Sequence, residues 1–335
     1  MRVARGSEVV VGEWPASPEV VALVECSGAL LAWDVLADDP VPAARVHDPV
    51  RASEWLWEVY GEAADAVLGG ASEVEVPGPG DWRVRDACRR VAQLNWARAW
   101  WPASVTAGVP ALDPVVLRAE LAVAVSAVEH LLDDPDAVER ALAAAVALDV
   151  PTADPEVDAV AGRLVALAED YGVELAPAEL PSRAGFALAA GGSGATATTA
   201  LSGSSTVDWS WTPHGAVDAA APADWAVVRR QGRTVLEVSV VPGPTPGVRL
   251  AARFGDVEVA LDGVDEAGRL TGSAPVSAAV LLLPPERRVL TVYAPDFAEP
   301  VAPDPDAGAR RAAIIAYARS RVGSPTATVT ERTAR

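Results

Sequence analysis

At 48–49, 113–114, 134–135 and 154–155 an Asp-Pro dipeptide stands ahead of a run with helical spacing. An aspartate side chain accepts hydrogen bonds from the first free amides of a helix. Proline suits the first helical position, where its missing N–H would have no intrahelical partner. Four such starts commit the stretch from 48 to about 171 to helices with defined N-termini. The segment 47–70 is expected to form one helix running from the Asp48 cap to Gly69-Gly70. At 100° per residue, Ala52, Trp55, Leu56, Val59, Ala63, Ala66 and Val67 share its apolar face, opposite Arg51, Glu54, Glu58, Glu62 and Asp65. Trp55 is therefore expected in the core and Trp57 near the boundary. Asp113-Pro114 predicts a helix to about Leu132, with His130 on its polar face. Asp134-Pro135 predicts another through 139–148, and Asp154-Pro155 a fourth to about Tyr171. A further helix over 81–101 is expected to be capped by Asp81.

Elsewhere the period is that of strands. Residues 19–36 read as a hairpin turning at Ser27-Gly28, and 8–12 as a third strand beside it. From Trp225 to about Tyr293 the chain reads as some six strands: 224–230 and 233–241 around Gln231-Gly232, 248–254 and 257–263 around Gly255-Asp256, then 275–283 and 287–295. Turns every 8–12 residues predict a β-sandwich resembling immunoglobulin or fibronectin type III domains, a likeness of architecture alone. Residues 176–207 are rich in Gly, Ser and Thr and read as a flexible linker. Residues 309–323 read as a short basic helix, and 324–335 as a disordered tail. The fold class expected is α+β and multidomain. It comprises a mainly helical domain with a small hairpin sheet (1–175), a linker (176–207), a β-sandwich (208–300) and a basic helix with its tail (301–335).

Charge divides the chain at the same place. Residues 1–175 hold 12 Arg against 30 acidic residues, whereas 176–335 hold 15 Arg against 16. The acidic half should repel nucleic-acid phosphates, so no nucleic acid is expected as a partner. All 27 basic residues are arginine. A Walker A loop, a protein kinase and a pyridoxal enzyme each need a lysine, so their standard forms are excluded. His47, His130 and His214 are the histidines, and Cys26 and Cys88 the cysteines. With no C-x-x-C or H-E-x-x-H, neither a metal site nor a cofactor is expected. Two cysteines suit a reducing compartment. The first residues lack the apolar core of a signal peptide, and no uncharged apolar run nears the ~20 residues of a membrane span. A cytoplasmic protein without membrane contact is expected.

The candidate partner-binding residues are aromatic or basic: Trp57, Arg89, Trp96, Trp100, Trp209, Trp211 and His214. In LNWARAWWPAS (94–104) three tryptophans fall within six positions. On the wheel of 81–101, Val84, Ala87, Cys88, Val91 and Leu94 form an apolar stripe, with Asn95 and Arg98 on it. Trp96 and Trp100 fall nearly opposite, with Arg85, Arg89 and Gln93. Two readings follow: a central helix packed on both sides, with Arg98 paired to an acid of another helix, or an Arg/Trp surface that grips a partner. Trp209 and Trp211 alternate, as they would on one face of a first sandwich strand or of a docking peptide, with a turn at Pro213-His214-Gly215. His47-Asp48 and the cluster Asp133, Asp134, Asp136 read as helix caps rather than as a catalytic pair or a Mg²⁺ site. Ser104 and Ser202 have no identifiable base.

The segments 47–70, 95–104 and 202–218 resemble a family of GC-rich, filamentous actinobacteria. Such relatives lie in multi-gene conflict systems with MoxR-type AAA+ ATPases and von Willebrand A proteins. The resemblance implies a non-enzymatic component beside those partners and assigns no catalytic residue. The expected function is a cytoplasmic adaptor or assembly component. The alternative is a hydrolase with a dispersed His/Asp/Ser site, which requires a histidine within reach of a serine and an acid.

Overall fold

The computed structural model describes residues 1–77, 82–147, 154–177, 198–230, 232–299 and 304–334. Its architecture is mixed α+β. The first strands are β1 (Val3–Arg5), β2 (Val9–Val11), β3 (Val21–Cys26), β4 (Ala29–Asp34) and β5 (Ala43–Val46), which form one antiparallel sheet in the order β1-β2-β5-β4-β3. The hairpin at Ser27-Gly28 is as expected. Gly28 sits at φ 79°, and a Cβ there would lie 2.5 Å from the Asp48 carbonyl oxygen. β1 and β5 extend the sheet beyond what alternation revealed, since both are short.

Asp48 caps its helix, accepting from the amides of Val50 and Arg51. The expected single helix is nevertheless three pieces: α1 (Pro49–Ala52), α2 (Leu56–Tyr60) and α3 (Ala63–Gly69). One break falls at Gly61, whose φ of 60° leaves the helical region. The core stripe survives the breaks, with Trp55, Leu56, Val59, Ala63 and Val67 all buried.

The longest helix, α4 (Arg83–Trp100), packs along β3, the edge strand of the sheet, and against α5 (Pro114–Ser126). The expected Asp81 cap lies outside the described residues. Asp113 caps α5 as expected, but α5 ends six residues short of Leu132 and is followed by a 3₁₀ turn over Glu129–Leu131. The third Asp-Pro start is displaced. Asp134 accepts from the amide of Asp136, closing a turn, and α6 (Ala137–Ala144) begins after it. Asp154 caps α7 (Pro155–Asp170) as expected, and β6 (Val146–Ala147) pairs in parallel with β7 (Ala176–Pro177).

Part of the expected linker is a strand. β8 (Thr198–Ser205) pairs antiparallel with β9 (Ala223–Arg230), because Gly203 lets its backbone lie against the Trp225 ring. The rest of that segment, 178–197, lies outside the described residues. Trp209–Trp211 is a 3₁₀ turn, not a strand, since the Asp208 carboxylate takes the Ser210 amide. The remaining strands are β10 (Arg233–Val240), β11 (Ala251–Phe254), β12 (Val257–Ala260), β13 (Gly263–Val264), β14 (Leu270–Pro275) and β15 (Leu290–Tyr293). The strand expected over 275–283 is largely a 3₁₀ turn (Ala278–Leu282) capped by Ser277. Its place beside β10 is taken by β14, which its small and polar residues hid from the reading. Five strands follow the order β13-β14-β10-β9-β8 and three the order β12-β11-β15. One core joins both sheets through Trp225, Val227, Leu236, Val238, Ala252, Phe254, Val259 and Val292.

The chain ends in α8 (Ala307–Arg321) and α9 (Val329–Thr333). The tail expected to be disordered is therefore ordered. Thr328 and Glu331 form a reciprocal capping box, and Glu331 is fully buried. Its carboxylate meets Arg321 Nη2 at 2.7 Å and Gln93 Nε2 at 2.7 Å, while Glu120 accepts from the amides of Val329 and Thr330 and from the Thr330 hydroxyl. These partners are distant in sequence, which is why a polar, serine- and threonine-rich tail read as loose. The chain divides into two compact units. One comprises 1–100, 112–181 and 320–335, and the other 101–111 and 182–319.

Candidate functional site

In the first unit, β3 alternates Ala22, Val24 and Cys26 inward with Val21, Leu23 and Glu25 outward. The outward Val21 and Leu23 form one wall of an open groove of about 690 Å³. The last turns of α4 supply Asn95, Trp96, Ala99 and Trp100. Trp14 closes the groove, held by Pro15 and by the Arg45 guanidinium carbon, which stacks 4.3 Å from the centre of its ring. Trp96 is 1% exposed and anchored, its indole donating to the Glu19 carbonyl at 2.8 Å. Trp100 is half-buried and Leu23 exposed, so both are open to a visitor.

Arg45 is the one charged residue among those lining the groove, and Asn95 the one amide. Among the described residues the lining holds no carboxylate, histidine or thiol. Such a surface can bury an apolar or aromatic side chain and hydrogen-bond a backbone, but has no group to move a proton near neutral pH.

The candidate residues fall in different places. Trp96 and Trp100 line this groove. The reading of α4 as packed on both sides describes Trp96, while the pairing expected for Arg98 is absent: Arg98 is exposed and makes no ion pair among the described residues. Arg85, expected on the polar face, is 1% exposed, its guanidinium carbon 4.4 Å from the Trp82 ring centre and Nη1 on the Pro77 carbonyl. Arg89 reaches only to 3.9 Å from Asp38 and does not line the groove. Trp57 is 59% exposed, its indole turned onto the Glu54 carbonyl of its own helix turn. Trp209, Trp211 and His214 belong to the second unit. Trp209 donates to the Ala219 carbonyl, Trp211 is buried and His214 is exposed. Trp14 and Arg45 were missed. The signals were a tryptophan followed by proline and an arginine facing outward between buried Ala44 and Val46.

The second unit contains the closest approach to a catalytic pair. Ser104 Oγ donates to Asp218 Oδ1 at 2.7 Å, with both residues buried. Asp218 also accepts from the amides of Val105, Thr106, Ala220 and Ala221. Burial pushes its pKa up. The hydrogen bonds from Ser104, Ala221, Ala220 and Thr106 outweigh that and hold it below the ordinary aspartate value. The carboxylate thus ties the 104–107 loop to the 218–221 turn. The histidines do not complete a triad. His130 pairs with Glu58 at 3.2 Å, and His47 and His214 are exposed without a hydrogen-bond partner among the described residues. Among those residues no cluster of three His, Cys, Asp or Glu could hold a metal ion, and no helix is long and apolar enough to cross a membrane. Cys26 and Cys88 are buried free thiols; the hydrogen bond to Cys88, together with burial, pushes Cys26 far up and keeps it protonated.

Set beside known protein families, curated proteins and solved structures, the chain matches none of them.

Proposed function

We propose that the protein is a non-enzymatic adaptor or assembly component of a multi-protein system, and that it docks a partner protein in the groove between Trp14 and α4. The observation that carries this reading is the lining itself: two tryptophans open to solvent around one arginine, with no acid–base group. Tryptophan and arginine dominate interface hot spots, and a buried, anchored ring beside a partly exposed one suits an inserted apolar side chain. The partners to which the family resemblance points are a MoxR-type AAA+ ATPase and a von Willebrand A protein. Two unbridged buried thiols support a cytoplasmic setting. The two sheets over one core support an immunoglobulin-like or fibronectin-like sandwich in the second unit, a scaffold role compatible with assembly. The hydrolase alternative has a serine–aspartate pair but no histidine to act as its base.

The test is retention of native-host proteins on the tagged full-length chain at moderate salt, followed by titration of any stoichiometric partner. Trp100→Ala and Arg45→Ala should each weaken that partner by about tenfold or more, the range of a hot-spot truncation. A chain that recovers no stoichiometric partner, or a partner indifferent to both substitutions, would overturn the proposal.

A further inference from the structure

The second unit carries a separate pocket of about 470 Å³, walled by the end of β8, the Trp209–Trp211 turn, β11, β15 and the first turns of α8. Its hydrogen-bonding capacity is lopsided. The two lining carboxylates already accept hydrogen bonds. Asp208 Oδ1 accepts from the Ser210 amide at 3.0 Å and the Ser210 hydroxyl at 2.8 Å. Asp304 accepts from the Asp306 amide and from Arg310 at 2.7 Å.

The lining donors are not similarly engaged. Trp211 is 8% exposed, yet its indole N–H has no acceptor among the described residues. Arg311 Nη1 is buried without a hydrogen bond among the described residues, its contact with Asp208 Oδ1 being a long ion pair at 3.7 Å. Arg253 lies 5.1 Å from the Tyr293 ring centre and reaches the Tyr293 hydroxyl only at 3.4 Å. A buried donor without an acceptor costs stability, and a guanidinium fork is shaped for a two-oxygen anion. The amino end of α8, a helix of fifteen residues, adds positive potential beside Ala307. Val289, Leu290 and Ala307 supply an apolar stretch of wall.

We propose that this pocket binds a small organic anion, its oxyanion head on Arg311, Arg253 and the Trp211 N–H and a short apolar body against Leu290 and Val289. Carboxylate and phosphate share the required chemistry. This site is independent of the groove on the first unit, and its failure would leave the docking proposal standing.

The experiment is calorimetric titration of the full-length chain with hexanoate, hexyl phosphate and hexylammonium. At least one anion should bind saturably in the millimolar range or tighter and raise the unfolding temperature, whereas hexylammonium should do neither. Stronger binding of hexanoate assigns a carboxylate, and stronger binding of hexyl phosphate a phosphate. Arg311→Gln and Arg253→Gln should each weaken the preferred anion about tenfold, the loss of one charge-assisted contact. Trp211→Phe, which keeps an aromatic side chain and deletes the donor, should weaken it several-fold. Arg253 is exposed, so its variant remains informative if Arg311→Gln misfolds. Saturable binding of neither anion, equal binding of the ammonium, or anion binding unchanged in Arg253→Gln and Trp211→Phe would overturn the assignment.

Discussion

The two units handle buried polarity differently. In the first, the buried indoles find carbonyls: Trp33 on Pro40, Trp55 on Ser27 and Trp96 on Glu19. Its buried carboxylates, Glu120 and Glu331, are surrounded by amides, hydroxyls and an arginine. In the second, the sheet core is almost wholly apolar; the Trp101 indole reaches the Pro110 carbonyl, but Trp211 and Trp225 keep indole N–H groups without acceptors among the described residues. Trp225 is placed by shape instead, its ring 4.6 Å from that of Phe254 and against the bare backbone of Gly203. The first unit is held by directional contacts between segments far apart in sequence. The second depends on close packing of adjacent strands.

Substitutions can break each side of this contrast in turn. The largest effect is expected from Glu331→Ala, which removes the buried carboxylate that Arg321 and Gln93 both bond. Breaking a buried pair costs about 3–5 kcal/mol. Urea unfolding should show the loss, with amide exchange accelerated in α5 and α9 but not in β9 and β10. Next comes Gly203→Ala. A Cβ there would lie 2.6 Å from the Trp225 ring, and overpacking of this kind costs about 1–3 kcal/mol, with exchange accelerated in β8 and β9.

Asp218 is the exception that sharpens the comparison, a densely bonded carboxylate in the shape-packed unit. Its folded pKa lies below its unfolded value, so its contribution is present above the ordinary aspartate pKa of about 3.9 and fades as pH falls through the depressed one. Acid unfolding of the second unit should therefore lose part of its pH dependence in Asp218→Asn, as followed by exchange at 218–221. The smallest effect belongs to Trp57→Ala. The side chain is 59% exposed and bonded only within its own turn, so stability should move by no more than about 0.5 kcal/mol.

What the sequence disclosed was whatever is decided locally. Asp48, Asp113 and Asp154 cap helices because a capping aspartate needs only the amides that follow it. The hairpins at Gly28, Gly232 and Gly255 follow from turn chemistry, each glycine having φ near 60–80°. The failures share a different cause. The residues 278–282 are apolar enough for a strand, but Ser277 and the flanking prolines bend them, and the pale β14 takes the ladder. The 324–333 segment looks soluble until Glu120 and Gln93 are brought to it. The groove shows the same division. Trp96 and Trp100 stood out as a cluster, whereas Trp14, which follows β2, and Arg45, on β5, join them only once the sheet is assembled beside α4.

The capping box at Thr328–Glu331 also bears on the order of events at the ribosome. The Glu120 carboxylate and the Gln93 amide are made early, and their partners on α9 emerge some two hundred residues later. Until then this half of the molecule lacks its last buried contacts, while β8 to β15 have already left the exit tunnel with their ladders complete. The unit whose first strands precede β8 therefore gains its last buried contacts only after β15 has been made.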